Sequence, residues 1–205
     1  MNTLENMFQL YLCEMSRYGK WAIEPDGLFK FDENILKDYF NQPHHYPYFI
    51  MVGGELSGFS LVRQYPYRKT IIDMGQFFVL PKFARLGIGK AAFKLTLDKH
   101  PGDWQVRVLP VNLSALRFWE KIIEEITDKK YLKSTDDYEG SEMKFFHFDN
   151  GANRQNKQRF LHRRILGNMT TKPETEIWSR SRAFASAPGV PRHPRPSPWQ
   201  ASVPA

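Results

Sequence analysis

The sequence predicts one α/β (α+β) domain, in which helices flank a mixed sheet, followed by a disordered basic tail. Three observations support this prediction. Helical and strand-like apolar patterns alternate over residues 1–150. A hydrophobic fraction of 41% and an aromatic fraction of 15% are enough to fill one core. Beyond residue 150 neither apolar period continues, so we place the tail at residues 151–205.

The first elements follow from apolar spacing and turn residues. Apolar side chains recur every three or four residues up to Met15, which predicts an amphipathic helix that ends before Gly19. A shorter helix is predicted at 34–40, and a β-hairpin at 48–62 turns at two consecutive glycines. The later predicted elements are, in chain order, a strand at 70–80, a loop at 82–89, a helix at 90–97, a strand at 104–109, a helix that Asn112 or Ser114 caps and that ends near residue 124, and strands at 126–132 and 143–148.

The basic character of the chain is concentrated in the tail. The whole chain carries a net charge of +7, whereas residues 151–205 hold ten Lys/Arg against two Glu, which leaves residues 1–150 near −1. Seven of the fourteen prolines also lie in the tail, and a weak helical pattern is present at 158–166. Two interpretations remain open: a disordered extension, and a segment that binds nucleic acid through phosphate contacts and aromatic stacking.

Cysteine content and hydropathy indicate the cellular setting. Cys13 is the only cysteine, so no internal disulfide forms, and no Cys/His cluster has the spacing of a metal site. The N-terminal segment lacks the pattern of a signal peptide, and no stretch is apolar enough to span a bilayer. We therefore expect a cytoplasmic protein with no metal and no membrane contact. The sequence does not indicate an oligomeric state.

The loop between the predicted strand and helix suits a phosphate group. Its residues are Arg85-Leu86-Gly87-Ile88-Gly89-Lys90. Glycines let the backbone turn so that successive N–H groups and the positive end of a helix face one anion. A Gly-x-Gly alone is a weak signal, because many such sequences form only a tight turn.

The surroundings of this loop resemble the GCN5-related N-acetyltransferase (GNAT) family. Residues 77–89, FFVLPKFARLGIG, are similar to the family's V-x-P-x-x-[RQ]-x-x-G-x-[GA] signature, and residues 112–121, NLSALRFWEK, to its N-x-x-A-x-x-[FL]-[YW]-E-K helix. The order of elements is similar over most of residues 1–150. A group of predicted bacterial acetyltransferases shares the PYFI hairpin and the FFVL strand. The resemblance implies a mostly antiparallel central sheet and acetyl-CoA as co-substrate.

The resemblance also implies where each part of acetyl-CoA binds. Backbone groups of Phe77, Phe78 and Val79 would pair with the pantetheine arm as an added strand does. A Phe78 or Val79 amide would bind the thioester oxygen and stabilise the oxyanion that forms when an amine attacks. Amides from Arg85 to Lys90 would hold the pyrophosphate, and Asn112 would hydrogen-bond the arm near the sulfur.

Two departures from the family pattern concern charge and the leaving group. Ala84 stands where the phosphate loop usually opens with Arg or Gln, although Lys82 and Arg85 are near enough in sequence to supply charge. Trp119 replaces a frequent tyrosine that protonates the leaving thiolate, so that general acid is absent.

A third departure concerns the general base. Gln76 stands where related chains often carry a glutamate, and an amide does not take a proton from an ammonium group. Asp73 is the nearest carboxylate on that strand; pointing into the cleft, it would act as a general base through water. The alternative is an exposed strand carboxylate. Tyrosines near the hairpin would orient an acceptor, replace the missing acid or be half-buried strand aromatics: Tyr46, Tyr48, Tyr65 and Tyr67.

Three functions remain open from these patterns. The first is an enzyme that moves acetyl from acetyl-CoA to a primary amine, of a small molecule, by direct attack in a ternary complex. The second is a domain that binds acyl-CoA without turnover, since both proton-transfer positions are altered. The third is a protein that the basic tail tethers to nucleic acid.

Overall fold

The computed structural model describes residues 2–19, 21–151 and 175–179, which form helices on both faces of one sheet. The elements are, in chain order, α1 (Asn2–Met15), α2 (Asn34–Asn41), β1 (His45–Val52), β2 (Glu55–Tyr65), β3 (Arg68–Val79), a 3-10 turn (Pro81–Phe83), α3 (Ile88–Lys99), β4 (Asp103–Val108), α4 (Leu113–Thr127), β5 (Leu132–Tyr138), β6 (Ser141–Asp149) and β7 (Thr175–Ser179).

The sheet has the strand order β5-β6-β4-β3-β2-β1-β7. Every neighbouring pair is antiparallel except β3 and β4, which run parallel because α3 connects them as a crossover. This arrangement confirms the predicted mixed, mostly antiparallel sheet. The one parallel pair lies in the middle of the sheet, next to the predicted phosphate loop.

The helices agree closely with the sequence predictions. The helices predicted up to Met15 and at 34–40 are present as α1 and α2. Asn112 caps α4, because its Oδ1 accepts a hydrogen bond of 3.0 Å from the main-chain N–H of Ala115. Among the described residues, no helix is long and apolar enough to cross a membrane.

The strand predicted at 126–132 is wrong, because α4 continues to Thr127. Ile126 packs against the core from the helix, and the helix ends only where Asp128 takes a left-handed conformation with φ of 53°. The true strand, β5, begins at Leu132. Its residues are almost all polar and exposed, so it carries no apolar alternation to predict it.

One short segment of the basic tail forms a strand that the sequence analysis did not predict. Thr175–Ser179 pair antiparallel with β1, with Ile177 opposite Ile50. A short edge strand forms because a neighbouring strand pairs with it, more than because of its own residue preferences. The residue pattern of 175–179 therefore did not predict a strand. The helical pattern at 158–166 and the rest of the tail prediction lie outside the described residues.

The sheet separates two apolar layers. One face packs against α3 and α4 through a cluster that contains Phe93 and Trp104. The other face packs against α1 and α2 through a cluster that contains Leu4, Leu36 and Phe59. Any opening between the central strands β3 and β4 would therefore have helices on both sides.

Candidate active site

The candidate site is a gap between β3 and β4. These two strands pair only where Ile72, Asp73 and Met74 lie opposite Trp104, Gln105 and Val106. Beyond Met74 the pairing stops. Gly75 is the extra residue of a β-bulge there, since its neighbours Met74 and Gln76 pair with consecutive residues of β2.

Gly75 is required sterically at the bulge. A Cβ atom at this position would lie 2.0 Å from the hydroxyl oxygen of Tyr39, which is far inside van der Waals contact. The bulge bends β3 away from β4, and the gap widens into a cleft of about 670 Å³. This volume is typical of small-ligand sites. The cleft lining includes Tyr11, Arg63, Gln76, Phe77, Arg107 and Asn112.

The first turn of α3 presents free main-chain donors just past the end of β3. The first hydrogen bond of the helix runs from Ala91 N–H to the carbonyl oxygen of Gly87, at 3.0 Å. The N–H groups of Ile88, Gly89 and Lys90 therefore precede it and have no acceptor within the helix. Gly87 turns the chain into the helix with a left-handed φ of 81°. These residues fit a diphosphate, because the donors and the positive helix end point the same way.

Gly89 lets this turn approach α4 closely. A Cβ atom at Gly89 would lie 3.2 Å from two ring carbons of Phe118, a distance that forces the ring to shift. Phe118 also stacks on Phe77, with ring centroids 6.3 Å apart. The loop predicted to bind phosphate, β3 and α4 thus meet at one point, and Gly89 allows this close packing.

The nearby lysines do not aim their charge at the loop. Lys82 Nζ donates to Glu55 at 2.5 Å, and Lys90 Nζ donates to Glu125 at 2.5 Å. Hydrogen bonds from Lys90 and Lys94 lower the pKa of Glu125. These two lysines would therefore add little charge to the binding of a diphosphate at this loop.

The strand register decides which β3 main-chain groups face the cleft. Leu80 N–H donates to the carbonyl oxygen of Ser57 on β2 at 2.8 Å. Alternate residues of an antiparallel strand bond to the same neighbour, so Phe78 also faces β2. The main-chain groups of Phe77 and Val79 therefore point away from β2, toward the side where β3 and β4 no longer pair. Of the three residues predicted to pair with the pantetheine arm, Phe78 does not fit, and it does not fit as the oxyanion donor either.

Asn112 and Trp119 border the cleft from the α4 side. The Oδ1 atom of Asn112 is engaged in the helix cap, so the side-chain N–H groups are the part left to bind a ligand. Trp119 is buried and packs edge-on against Phe77 and Phe93, with ring centroids 5.3 and 4.8 Å apart. Trp119 therefore fills its position as a core residue.

Asp73 is fully buried, with 0% exposure, so the alternative of an exposed carboxylate is wrong. Arg107 donates two hydrogen bonds to the Asp73 carboxylate, from Nε to Oδ1 at 3.1 Å and from a terminal nitrogen to Oδ2 at 2.7 Å. Arg63 Nε donates to Oδ2 at 3.1 Å, and Gln105 Nε2 to Oδ1 at 3.3 Å. Both carboxylate oxygens are thus occupied by donors from neighbouring strands.

Gln76 lines the cleft from the α1 and α2 side of the sheet. Its buried carboxamide oxygen, Oε1, has no hydrogen-bond partner among the described residues. The buried Tyr39 hydroxyl, beside Gly75, also has no hydrogen-bond partner among the described residues. Burial raises the pKa of Tyr39 well above its ordinary value. Within the described part of the chain, no group of three metal-ligating side chains comes together.

Comparisons with known proteins agree with this geometry. The sequence profile of the acetyltransferase (GNAT) family matches residues 4–123, which is more than half of the chain. The chain belongs to the GNAT family. No curated protein sequence matches it.

One solved acetyltransferase structure shares this fold, and two others superimpose less well. An acetyltransferase from Thermus thermophilus superimposes with a TM-score of 0.53 at 13% identity, over 71% of this chain and 88% of that chain. A Bacillus subtilis acetyltransferase in complex with CoA has a TM-score of 0.41 at 14% identity, over 58% and 84%. A spermidine N-acetyltransferase variant from Vibrio cholerae has a TM-score of 0.49 at 10% identity, over 74% and 94%.

The far end of the cleft in this GNAT domain is built around Tyr138. Its hydroxyl accepts a hydrogen bond from Arg63 at 2.8 Å, and the Arg107 guanidinium lies 3.7 Å from its ring centroid. Tyr65 and Tyr67 pack their rings against it at 6.3 and 6.0 Å. This cluster places two of the four tyrosines noted in the sequence beside the cleft.

Arg63, Arg107 and Tyr138 were not predicted as site residues from the sequence. They lie on three strands, and only the folded sheet brings them together. A usable signal was present: an arginine inside an apolar strand pattern is costly to bury without a partner, and both arginines lie within such patterns.

Proposed function

We propose that this protein moves an acetyl group from acetyl-CoA to a primary amine of a small-molecule acceptor. The observation that carries the proposal is the bulge at Gly75, which opens the sheet beside Phe77. The Phe77 ring lies next to Gly89 in the first turn of α3, so the open strand edge runs between that turn and the polar end of the cleft. The proposal includes a cytoplasmic setting, in keeping with a single cysteine, Cys13, that is exposed and unpaired.

Each part of acetyl-CoA has a matching surface along this cleft. The pyrophosphate would lie on the N–H groups of residues 88–90. The pantetheine arm would run along β3 and pair with main-chain groups of Val79 and Phe77, as an added strand does. Asn112 would donate to the arm from the opposite wall. Phe77 is the residue nearest the bulge whose main-chain groups point away from β2, so we assign its N–H to the thioester oxygen.

The transfer itself needs little from side chains. Water in the cleft takes one proton from the ammonium group, and the neutral amine nitrogen then attacks the thioester carbon. The C–N bond forms, the C–S bond breaks, the nitrogen loses a second proton to water, and the CoA thiolate leaves and is protonated by solvent. The Phe77 N–H would stabilise the charge on the oxygen during attack. Thiolate is a good leaving group, so Trp119 in place of a general acid does not prevent release. Gln76 would orient the amine through its carboxamide.

Asp73 is assigned a positioning role in place of the general-base role. A general base must reach the proton it takes. Asp73 is buried, and Arg63, Arg107 and Gln105 donate to both of its oxygens. It would therefore act by holding the two guanidiniums in place at the end of the cleft.

A domain that binds acyl-CoA without turnover is the second candidate. The buried Trp119 and the fully paired Asp73 favour it, because neither supplies or accepts a proton. Calorimetry with acetyl-CoA, combined with thiol release over a panel of amines, separates the two. The enzyme predicts amine-dependent thiol release at saturating acetyl-CoA. Binding of acetyl-CoA with no amine-dependent thiol would leave only the second candidate.

A further inference from the structure

We propose that the acceptor amine carries a carboxylate, which Arg63 and Arg107 bind at the Tyr138 end of the cleft. This inference rests on the proposed function and adds the chemical class of the acceptor.

The charge at this end of the cleft is not balanced. Arg63 and Arg107 share a single buried carboxylate, Asp73, so one positive charge is left over. The only carboxylate among the described residues that line the cleft is Glu139. Glu139 is exposed at the rim, where water screens its charge, and it accepts a hydrogen bond from Tyr67 at 3.4 Å. An anionic ligand group would neutralise the excess.

The two guanidiniums also have unused donors. Arg63 donates once to Asp73 and once to Tyr138, and Arg107 donates twice to Asp73. A guanidinium has five N–H groups, so three on each side chain have no acceptor that the described residues supply. The side chains are only 18% and 6% exposed, and both line the cleft. Partly buried donors without acceptors favour a ligand that accepts hydrogen bonds.

The guanidiniums are held in fixed orientations. The two hydrogen bonds to Asp73 set the plane of Arg107, and the ring of Tyr138 lies 3.7 Å from its central carbon. The Tyr138 hydroxyl holds one terminal nitrogen of Arg63 at 2.8 Å. A planar, preorganised donor pair matches the geometry of a carboxylate and loses little freedom on binding it.

The opposite wall of this end of the cleft is largely apolar. Met15, Trp21 and Ile35 line it from the α1 and α2 side. An acceptor with an apolar body and a carboxylate, such as leucine or phenylalanine, would fit both walls. A polyamine would bring further positive charges toward two guanidiniums, so we expect it to be excluded.

Matched ligands test the inference without any turnover. The full chain, saturated with CoA, is titrated by calorimetry with leucine and leucinamide, and with phenylalanine and phenylalaninamide. We expect each acid to bind about 10- to 100-fold tighter than its amide, as charge-assisted hydrogen bonds imply. Equal binding of acid and amide, tighter binding of the amide or of spermidine, or no binding of any of these ligands would overturn the inference.

A variant pair locates the interaction. Arg63→Gln leaves Asp73 paired one-to-one with Arg107 and so removes the excess charge. The acids should then lose about 10-fold or more in affinity, while the amides change little and Arg63→Lys restores part of the loss. Unchanged CoA binding serves as the control for folding. If Arg63→Gln does not fold, the matched ligands on the unaltered chain still decide.

Thiol release from acetyl-CoA, measured with the same ligands, separates this inference from the proposed function. If the acids bind to the CoA-loaded chain but no amine of the panel releases thiol from acetyl-CoA, the carboxylate pocket is supported and the acetyltransferase is ruled out. Thiol release that prefers amides or spermidine would keep the acetyltransferase and overturn the carboxylate pocket.

Discussion

At the scale of single residues, Asp73 holds together the far end of the cleft. Replacing it by asparagine leaves Arg63 and Arg107 close together and largely buried without a counter-charge. Breaking one partner of a buried ion pair costs about 3–5 kcal/mol of unfolding free energy. We expect Asp73→Asn to show a loss of this order in urea denaturation. Asp38→Asn, at an exposed carboxylate of α2, is the control and should change stability by less than about 0.5 kcal/mol.

His100 makes folding stability depend on pH. Burial, aided by Lys99, lowers the pKa of His100 from 6.5 to about 4, and its Nε2 lies 2.8 Å from the Tyr48 hydroxyl. Between these values the unfolded chain binds a proton that the folded chain does not. The contribution of neutral His100 to the unfolding free energy is therefore full above pH 6.5 and is lost as the pH falls toward 4.

Replacement of His100 by glutamine should flatten that part of the stability profile. Unfolding free energies of both proteins, measured by urea from pH 7 to 4, give the two slopes. The variant loses stability at pH 7 through the altered contact with Tyr48, but the difference between the proteins should shrink as the pH falls. Parallel profiles would show that His100 keeps its ordinary titration in the folded chain.

Gly89 tests the packing under the phosphate loop. A methyl group at Gly89 presses on the Phe118 ring, so Gly89→Ala should weaken CoA binding by displacing the α3 turn. Phe118→Leu removes the two ring carbons that a Cβ would meet. In a double-mutant cycle followed by calorimetry, the second change should therefore recover part of the lost affinity. Additive losses would mean that the ring does not limit the loop.

At the scale of elements, the two edges of the sheet are protected differently. The β5 edge is exposed and charged, with Lys133, Asp136 and Asp137, and such charges oppose pairing with another chain. The β1 edge is apolar, and β7 covers it.

A chain that ends at Gly151 lacks β7 and should therefore self-associate through β1. Sedimentation velocity at increasing concentration would show species larger than those of the full chain. Ile177→Pro in the full chain disrupts the middle of β7 and should produce the same effect. If both proteins sediment like the unaltered chain, β7 does not protect this edge.

Local signals predicted the strand end, turn and helix start of the proposed phosphate site. Pro81, Gly87 and Gly89 specify the strand end, the turn and the helix start within a few residues of one another, so pattern reading found them. The ion-pair network could not be predicted in this way. Arg63 and Arg107 meet Asp73 only because of strand pairing, and that register depends on the bulge at Gly75. β5 and β7 were not predicted because exposed or edge strands need no apolar alternation.

At the scale of the whole molecule, the sheet consists of two parts with a narrow join. Among the described residues, the strands β5, β6 and β4 pair with β3, β2 and β1 through only three residue pairs, which begin at Ile72 and Trp104. Side-chain contacts of Arg63, Arg107 and Tyr138 cross the same join. Past that join, β3 and β4 no longer pair through their main chains. A ligand that pairs with the open edge of β3 therefore links the two parts.

CoA should stabilise the whole domain and protect alternate main-chain amides of β3 from hydrogen exchange. At a hundred times its dissociation constant, a ligand adds about 2.7 kcal/mol, which corresponds to a rise of roughly 5–10 °C in Tm for a domain of this size. NMR-detected hydrogen exchange should show new protection at the amides of Phe77 and Val79, which point away from β2. The Phe78 amide, which faces β2, should be protected with or without CoA. New protection at Phe78 with none at its neighbours would reverse the assigned register and, with it, the proposed path of the pantetheine arm.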